Sequence, residues 1–350
     1  MKVDLHTHTF ESEEVHNHFL GKLFGVRDSY TKPKDAYYQA MYVKGLDGFA
    51  ITNHNVIGHA LKLSKKYPEQ VIVGCEYTVE AGYGYKLHVI ALDLNESLHK
   101  ELNQLRYKGL KTFTHFLKKE DIPYFLAHIG VSVVPKLKLK PELIDEWVSH
   151  FYAIETINGL RTVENEFAKK IAKYYGLAET GGSDAHEVSS IGHAYTVSDK
   201  AKNLKEFLED IKKKQIYAGG DGANPERFEK EIKSIIRDFY YFEFKPIFEK
   251  GLQTYMEQVD IKGLFKRFGE LFLLLSYIWL PKIKGQEYIK GQYENISLLE
   301  EELISYLKER RLEDLLQLSA KKEKKIALWR EETGKIYHTF DKLQDTRYKT

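Results

Sequence analysis

Cysteine is almost missing from this chain. There is one in 350 residues, Cys75, which excludes an internal disulfide and suits a reducing compartment. Long apolar runs are missing too. The longest, Leu271 to Leu280, is about half of the roughly 20 residues a membrane span needs, so it reads as a buried helix segment. Charge of one sign is not in excess: 53 Lys and Arg against 51 Asp and Glu leave a net +2, which forces neither a nucleic-acid nor a membrane partner. The opening Met1-Lys2-Val3-Asp4-Leu5-His6 has no apolar leader core, so a cytoplasmic protein is expected. Gly82-Tyr83-Gly84-Tyr85 is too short for a phosphate loop and reads as a hairpin-like turn. No serine or cysteine triad is visible. Histidine is nearly absent after residue 193, where only His338 remains.

The other thirteen histidines lie in the first 193 residues, several where an apolar strand-like run ends. Such ends are Val3-Asp4-Leu5-His6-Thr7-His8, Phe49-Ala50-Ile51-Thr52-Asn53-His54, Lys86-Leu87-His88 and Tyr124-Phe125-Leu126-Ala127-His128. Two carboxylates are placed the same way, in Val73-Gly74-Cys75-Glu76 and Gly182-Ser183-Asp184-Ala185-His186. His6-x-His8 points two imidazoles to one side, because strand side chains repeat every two residues. Asp184-x-His186 repeats that geometry after two glycines, which allow close backbone approach. Imidazoles and carboxylates at the same ends of successive strands converge on one point, as a ligand set for Zn, Mn or Fe and for more than one ion.

Through about residue 220, short apolar strands alternate with amphipathic helices. Strands are expected at 2–6, 48–53, 71–76, 86–92, 123–128, 152–157 and 177–181. Helices are expected at 34–45, 57–67, 97–119, 141–149 and 162–175. The pattern predicts βαβ units, a parallel sheet and an α/β barrel with its chemistry at the C-terminal ends of the strands. Gly219-Gly220-Asp221-Gly222-Ala223-Asn224-Pro225 reads as a linker, giving a barrel over 1–222 and an all-α C-terminal region over 223–350. Helices are expected there at 261–279, 298–318 and 321–339, and their apolar stretches could support an oligomer. No internal repeat is found.

Asp4-Leu5-His6-Thr7-His8-Thr9 resembles the opening motif of the PHP (polymerase and histidinol phosphatase) domains. Ala50-Ile51-Thr52-Asn53-His54-Asn55 resembles the second motif, Ala127-His128 the third and Gly182-Ser183-Asp184-Ala185-His186 the fourth. The resemblance covers roughly residues 1–220. It implies a distorted (βα)7 barrel and a trinuclear site of two or three divalent transition-metal ions. His6, His8, Glu76 and Asp184 would hold one ion, and Glu76 would bridge to a second held also by His88 and His128. His54 and His186 would hold the third with an acid of the first loop, for which Glu13 is the first choice and His16 or His18 are alternatives. Asn53 departs from the Asp that the family has before this histidine.

The same resemblance singles out Arg161, after Ile154-Glu155-Thr156-Ile157-Asn158-Gly159, as a substrate-phosphate contact; a guanidinium meets phosphate with two parallel hydrogen bonds. His193, where many relatives carry Arg, would touch phosphate or donate a proton. Residues 14–35 read as a longer first loop that could cover the site. Cys75, His59, His99, His115 and His150 read as structural. The implied function is a metal-dependent phosphoesterase that cleaves a phosphomonoester, a nucleotide or another small phosphorylated metabolite, with a metal-activated hydroxide. A nuclease is the alternative, but residues 221–350 carry 24 Lys and Arg against 23 Asp and Glu, no basic groove. A regulatory PHP protein without catalysis is a third reading, opposed by the near-complete ligand set.

Overall fold

In the computed structural model the described residues are 1–12, 27–129, 140–161, 163–222 and 301–310, with 230, 233, 234, 237–239 and 241. The strands are β1 (Lys2–Asp4), β2 (Gly48–Ile51), β3 (Val71–Glu80), β4 (Lys86–Leu92), β5 (Tyr124–Leu126), β6 (Ala153–Asn158), β7 (Ala178–Gly182), β8 (Ala194–Val197) and β9 (Tyr217–Gly220). The helices are α1 (Pro33–Tyr38, continued by a π turn over Gln39–Val43), α2 (Gly58–Lys66), α3 (Glu96–Leu105), α4 (Leu110–Lys119), α5 (Pro141–Val148), α6 (Val163–Tyr175) and α7 (Leu204–Lys212). All seven expected strands are present and two more follow. The single helix expected over 97–119 is two, α3 and α4, parted at Tyr107-Lys108-Gly109.

One sheet runs in the order β7-β6-β5-β4-β3-β2-β1-β8-β9. It is not uniformly parallel. β3 and β4 form an antiparallel hairpin with Thr78 opposite His88, turned by Gly82 to Tyr85, and β4 is antiparallel to β5 as well. β8 is antiparallel to both β1 and β9. The sheet curls into a nearly closed barrel: Gly181 N–H of β7 donates to Thr196 Oγ1 of β8 at 2.9 Å, and that hydroxyl donates back to Gly181 O at 2.9 Å. A Cβ on residue 181 would lie 2.4 Å from Tyr195 O, so only glycine permits the approach.

Core packing leaves one end of the barrel free. Leu204, Phe207, Leu208 and Ile211 line one face of α7 at helical spacing. They are buried in one cluster with Val3, Ile72 and Ala153. Leu204 lies against Gly48 at the start of β2, so α7 covers the N-terminal ends of the strands. Each such side chain contributes about 1.5–3 kcal/mol on full burial. A second cluster, with Ala36, Ala40, Phe49, Ile51, Leu63 and Ile191, seats α1 and α2 on the outside of the sheet. The C-terminal strand ends remain for polar groups.

By its internal packing the chain divides into Met1–Leu139 with Leu143–Ser297, and Lys140–Glu142 with Leu298–Thr350. In the second unit residues 301–310 are helical, with Leu303 and Leu307 buried four residues apart. The expected break at 222 adjoins residues 223–229, and the expected helices 261–279 and 321–339 also lie outside the described residues. No helix among the described residues is long and apolar enough to cross a membrane.

Candidate metal centre

The strand ends bring together eight of the nine side chains expected to bind metal. Backbone pairing continues past the strands to do this: His8 N–H donates to Ala185 O at 3.0 Å, and His54 bridges Glu76. Asp184 takes φ +51, a left-handed conformation an Asp tolerates better than most residues, and its N–H donates to His6 O at 2.7 Å.

Glu76, fully buried, is the hub. Its Oε1 lies 2.7 Å from His88 Nδ1 and 2.9 Å from His128 Nε2. Its Oε2 lies 3.2 Å from His6 Nε2, from His8 Nε2 and from His54 Nδ1. Asp184 Oδ1 lies 3.3 Å from the same nitrogens of His6 and His8. His88, with 19% of its side chain exposed, is the most open of the set and marks the mouth.

Four groups of these residues have ligand atoms all within 4.8 Å of one another: His6, His8 and Asp184; His6, Glu76 and His128; His54, Glu76 and His88; and His8, Asp28, His54 and His186. Bonds of about 2.0–2.2 Å to a transition metal draw ligand atoms into this range. The donor chemistry fits cations. His6 donates through Nδ1 to Glu155 Oε1 at 3.0 Å, so a neutral ring turns a lone pair on Nε2 toward two carboxylates. His8 is fully buried, yet neither ring nitrogen makes a hydrogen bond of good angle. Without cations the field acts on protons instead. Burial alone would raise the Glu76 carboxyl, but His54, His88 and His6 hold it well below the usual carboxylate range. Burial would likewise raise Asp184, and His6, His8 and His186 bring it well below. Burial works against charge on His6, but Asp184, Glu155 and Glu76 push it well above the ordinary imidazole value.

Glu13 lies outside the described residues. The acid that meets His54 and His186 is Asp28, which the sequence pattern does not single out. Its Oδ1 lies 3.0 Å from His186 Nε2, and its Oδ2 lies 3.6 Å from His8 Nδ1 and 3.9 Å from His54 Nε2. The next residue anchors it: Ser29 Oγ donates to His186 O at 2.8 Å. Asn53 does not face a ligand ring. Its Oδ1 accepts from Thr9 N–H at 2.6 Å, fixing the backbone just after His8. We expect Asp28→Asn to lose one ion per chain and keep the others, by metal analysis after gel filtration; unchanged stoichiometry would remove Asp28 from the centre.

Arg161 stands three residues beyond Asn158, whose amide donates to Asp184 Oδ2 at 3.1 Å, and its Nε is buried without a hydrogen-bond partner among the described residues. At His193, Lys44 Nζ donates to Nε2 at 3.2 Å. A ring nitrogen that accepts from lysine has no proton there to give, so the contact weighs against the proton-donor role. Cys75 is buried, with its thiol on Asn53 O at 3.4 Å, and His99 pairs with Tyr77 OH at 2.7 Å. Both are structural, as expected. Just past His8, Phe10 packs edge-on to His59 at 4.4 Å. The two line a cavity of about 570 Å³ with Lys32, Lys34, Lys62 and Lys66.

Residues 163–216 match the family model described as PHP-associated. No curated protein sequence matches. Similar solved structures include a proposed metal-dependent phosphoesterase from Bifidobacterium adolescentis, with 18% identity over 53% of this chain and 88% of that one and a TM-score of 0.37. PsfC from Pseudomonas syringae has 15% identity over 68% of this chain and 97% of that one, with a TM-score of 0.46. The lesion-specific endonuclease EndoQ from Pyrococcus furiosus has 15% identity over 62% of this chain and 57% of that one, with a TM-score of 0.41. These are partial likenesses of shape, and nothing about activity rests on them. The PHP-associated match contains Asp184 and His186, and the strand-end motifs before it resemble those of PHP domains.

Proposed function

We propose that this chain is a metal-dependent phosphoesterase with two or three Mn, Fe or Zn ions held by His6, His8, Asp28, His54, Glu76, His88, His128, Asp184 and His186. The observation that carries the reading is the buried carboxylate of Glu76 touching five imidazoles carried by four strands, with Asp184 and Asp28 beside them. Bound ions would supply hydroxide at neutral pH and offset charge on phosphoryl oxygens. The chain's own part is to orient the ester. Arg161, its Nε unspent on protein acceptors, would take the phosphoryl oxygens in a bidentate pair. Four lysines against one acid, Asp35, in the neighbouring cavity favour an anionic substrate. A small phosphomonoester is preferred, in a reducing compartment such as the cytoplasm, which suits the one buried thiol. Nucleic acid is the second reading to be tested, since bound ions and Arg161 would meet a phosphodiester as they meet a monoester.

The test is a hydrolysis screen of metal-loaded protein over nucleotides, sugar phosphates and a single-stranded oligonucleotide. Arg161→Ala should keep its metal and lose kcat/KM by on the order of 2–4 kcal/mol. Unchanged kinetics would make Arg161 a surface residue. Cleavage of the oligonucleotide alone would replace the monoester reading.

A further inference from the structure

We propose that Glu155 is a positioning residue of the metal centre, holding His6 in one tautomer and, with Asn158, locking His6, His128 and Asp184 into a single frame. The inference rests on the metal-centre reading and adds a carboxylate that is not itself among the ligand groups. Glu155 sits in β6 between Ile154 and Thr156 with no exposed surface. A carboxylate in such a place costs several kcal/mol unless its oxygens are met by donors. They are met by the centre itself: Oε1 by His6 Nδ1 at 3.0 Å, Oε2 by His128 N–H at 3.1 Å and by Asn158 Nδ2 at 2.9 Å.

The polarity of each bond is determined. A carboxylate only accepts, so the proton of His6 is on Nδ1 and Nε2 is left to bind a cation. Asn158 cannot be turned the other way, because its Oδ1 already accepts from Leu160 N–H at 2.9 Å. Its Nδ2 therefore faces the carboxylates, Glu155 on one side and Asp184 Oδ2 at 3.1 Å on the other. Asn158 is itself held by Asn165, whose Oδ1 accepts from Asn158 N–H at 3.0 Å and whose Nδ2 donates to Asn158 O at 2.9 Å. Ligands from three separate strand ends thus share one rigid partner. Outer-sphere carboxylates that accept from a metal-ligating histidine raise its basicity and fix its ring, and losing one typically costs about 10–100-fold in metal affinity.

Glu155→Gln tests this on the full chain with Co2+ as the probe, read by its visible absorption and by competition with a chromophoric chelator. The amide keeps size, but one of its two ends is now a donor, set either against His6 Nδ1–H or against the His128 and Asn158 donors. The expected result is a folded protein whose cobalt affinity falls about 10–100-fold with an altered spectrum. A merely structural role would lower Tm but leave the cobalt spectrum and affinity of the folded protein as in the wild type, and that overturns the proposal. Should Glu155→Gln not fold, Asn158→Ser decides: it leaves the carboxylate but cuts the link to Asp184, and is expected to weaken cobalt binding to a smaller degree. Wild-type binding in that variant overturns the frame. A wild-type chain that takes up no cobalt would instead sink the metal-centre reading itself.

Discussion

Glu76→Gln should be the most damaging single substitution in the protein. Both oxygens are committed, one to His88 and His128 and the other to His6, His8 and His54. In the proposed assignment they bridge two ions, so losing the charge weakens both at once, and an amide nitrogen in place of one oxygen turns a donor toward imidazoles or cations. The loss should exceed the 10–100-fold typical of an outer-sphere partner. His54→Ala removes one ligand of one ion and should cost less. Parallel metal analysis and kinetics on the two variants check the order, and a milder effect at Glu76 than at His54 would refute the bridge.

Gly182→Ala, the addition of one methyl group, should also abolish metal binding. A Cβ there would sit 2.4 Å from His6 Cβ and 2.8 Å from Glu155 Oε1. Neither neighbour can yield, since His6 is fixed by its own strand and Glu155 by three donors. Overpacking of this kind costs about 1–3 kcal/mol of stability. The larger effect is geometric: His6 must move, and a site displaced by 1 Å loses its function. Thermal melts and metal content of the variant give the two readouts. Wild-type metal content would mean that the strand end is more plastic than its packing implies.

Gly182 shows in the sequence as a glycine ahead of Asp184 and His186, and Glu76 as an acid after the apolar run from Val71, although β3 continues past it to Glu80. The seven strands and eight of the nine expected ligands were legible for the same reason: a polar group that ends an apolar run is a local pattern. What was missed depends on chain return or on direction. Asp28 lies twenty residues beyond His8 in the chain, where no strand or helix periodicity points at the site. Glu13, nearer in sequence, is the acid that the resemblance favours, and it lies outside the described residues. The one signal for Asp28 was the Asp28-Ser29 pair ahead of α1, and Ser29 proves to be the anchor on His186. Glu155 belongs to no motif of its own, although a charge inside an otherwise buried strand needs partners and so marks a site. The antiparallel course of β4 is implied by the hairpin-like turn at Gly82 to Tyr85, against the parallel order that the βαβ pattern predicts. β8 and β9 follow the last strand-end motif, and the glycines that end β9 read as a linker.

The central claim is that these side chains form a metal centre, and its most direct test is the metal content of the purified chain beside that of His6→Ala with His8→Ala. Inductively coupled plasma analysis, before and after titration with Mn, Fe or Zn, should find two or three ions per wild-type chain. In the double variant the ions should be lost together with activity, because His6 and His8 both face Glu76 and Asp184. Full metal content in the double variant, or a wild-type chain that takes up no ion from any of the three metals, would contradict the account.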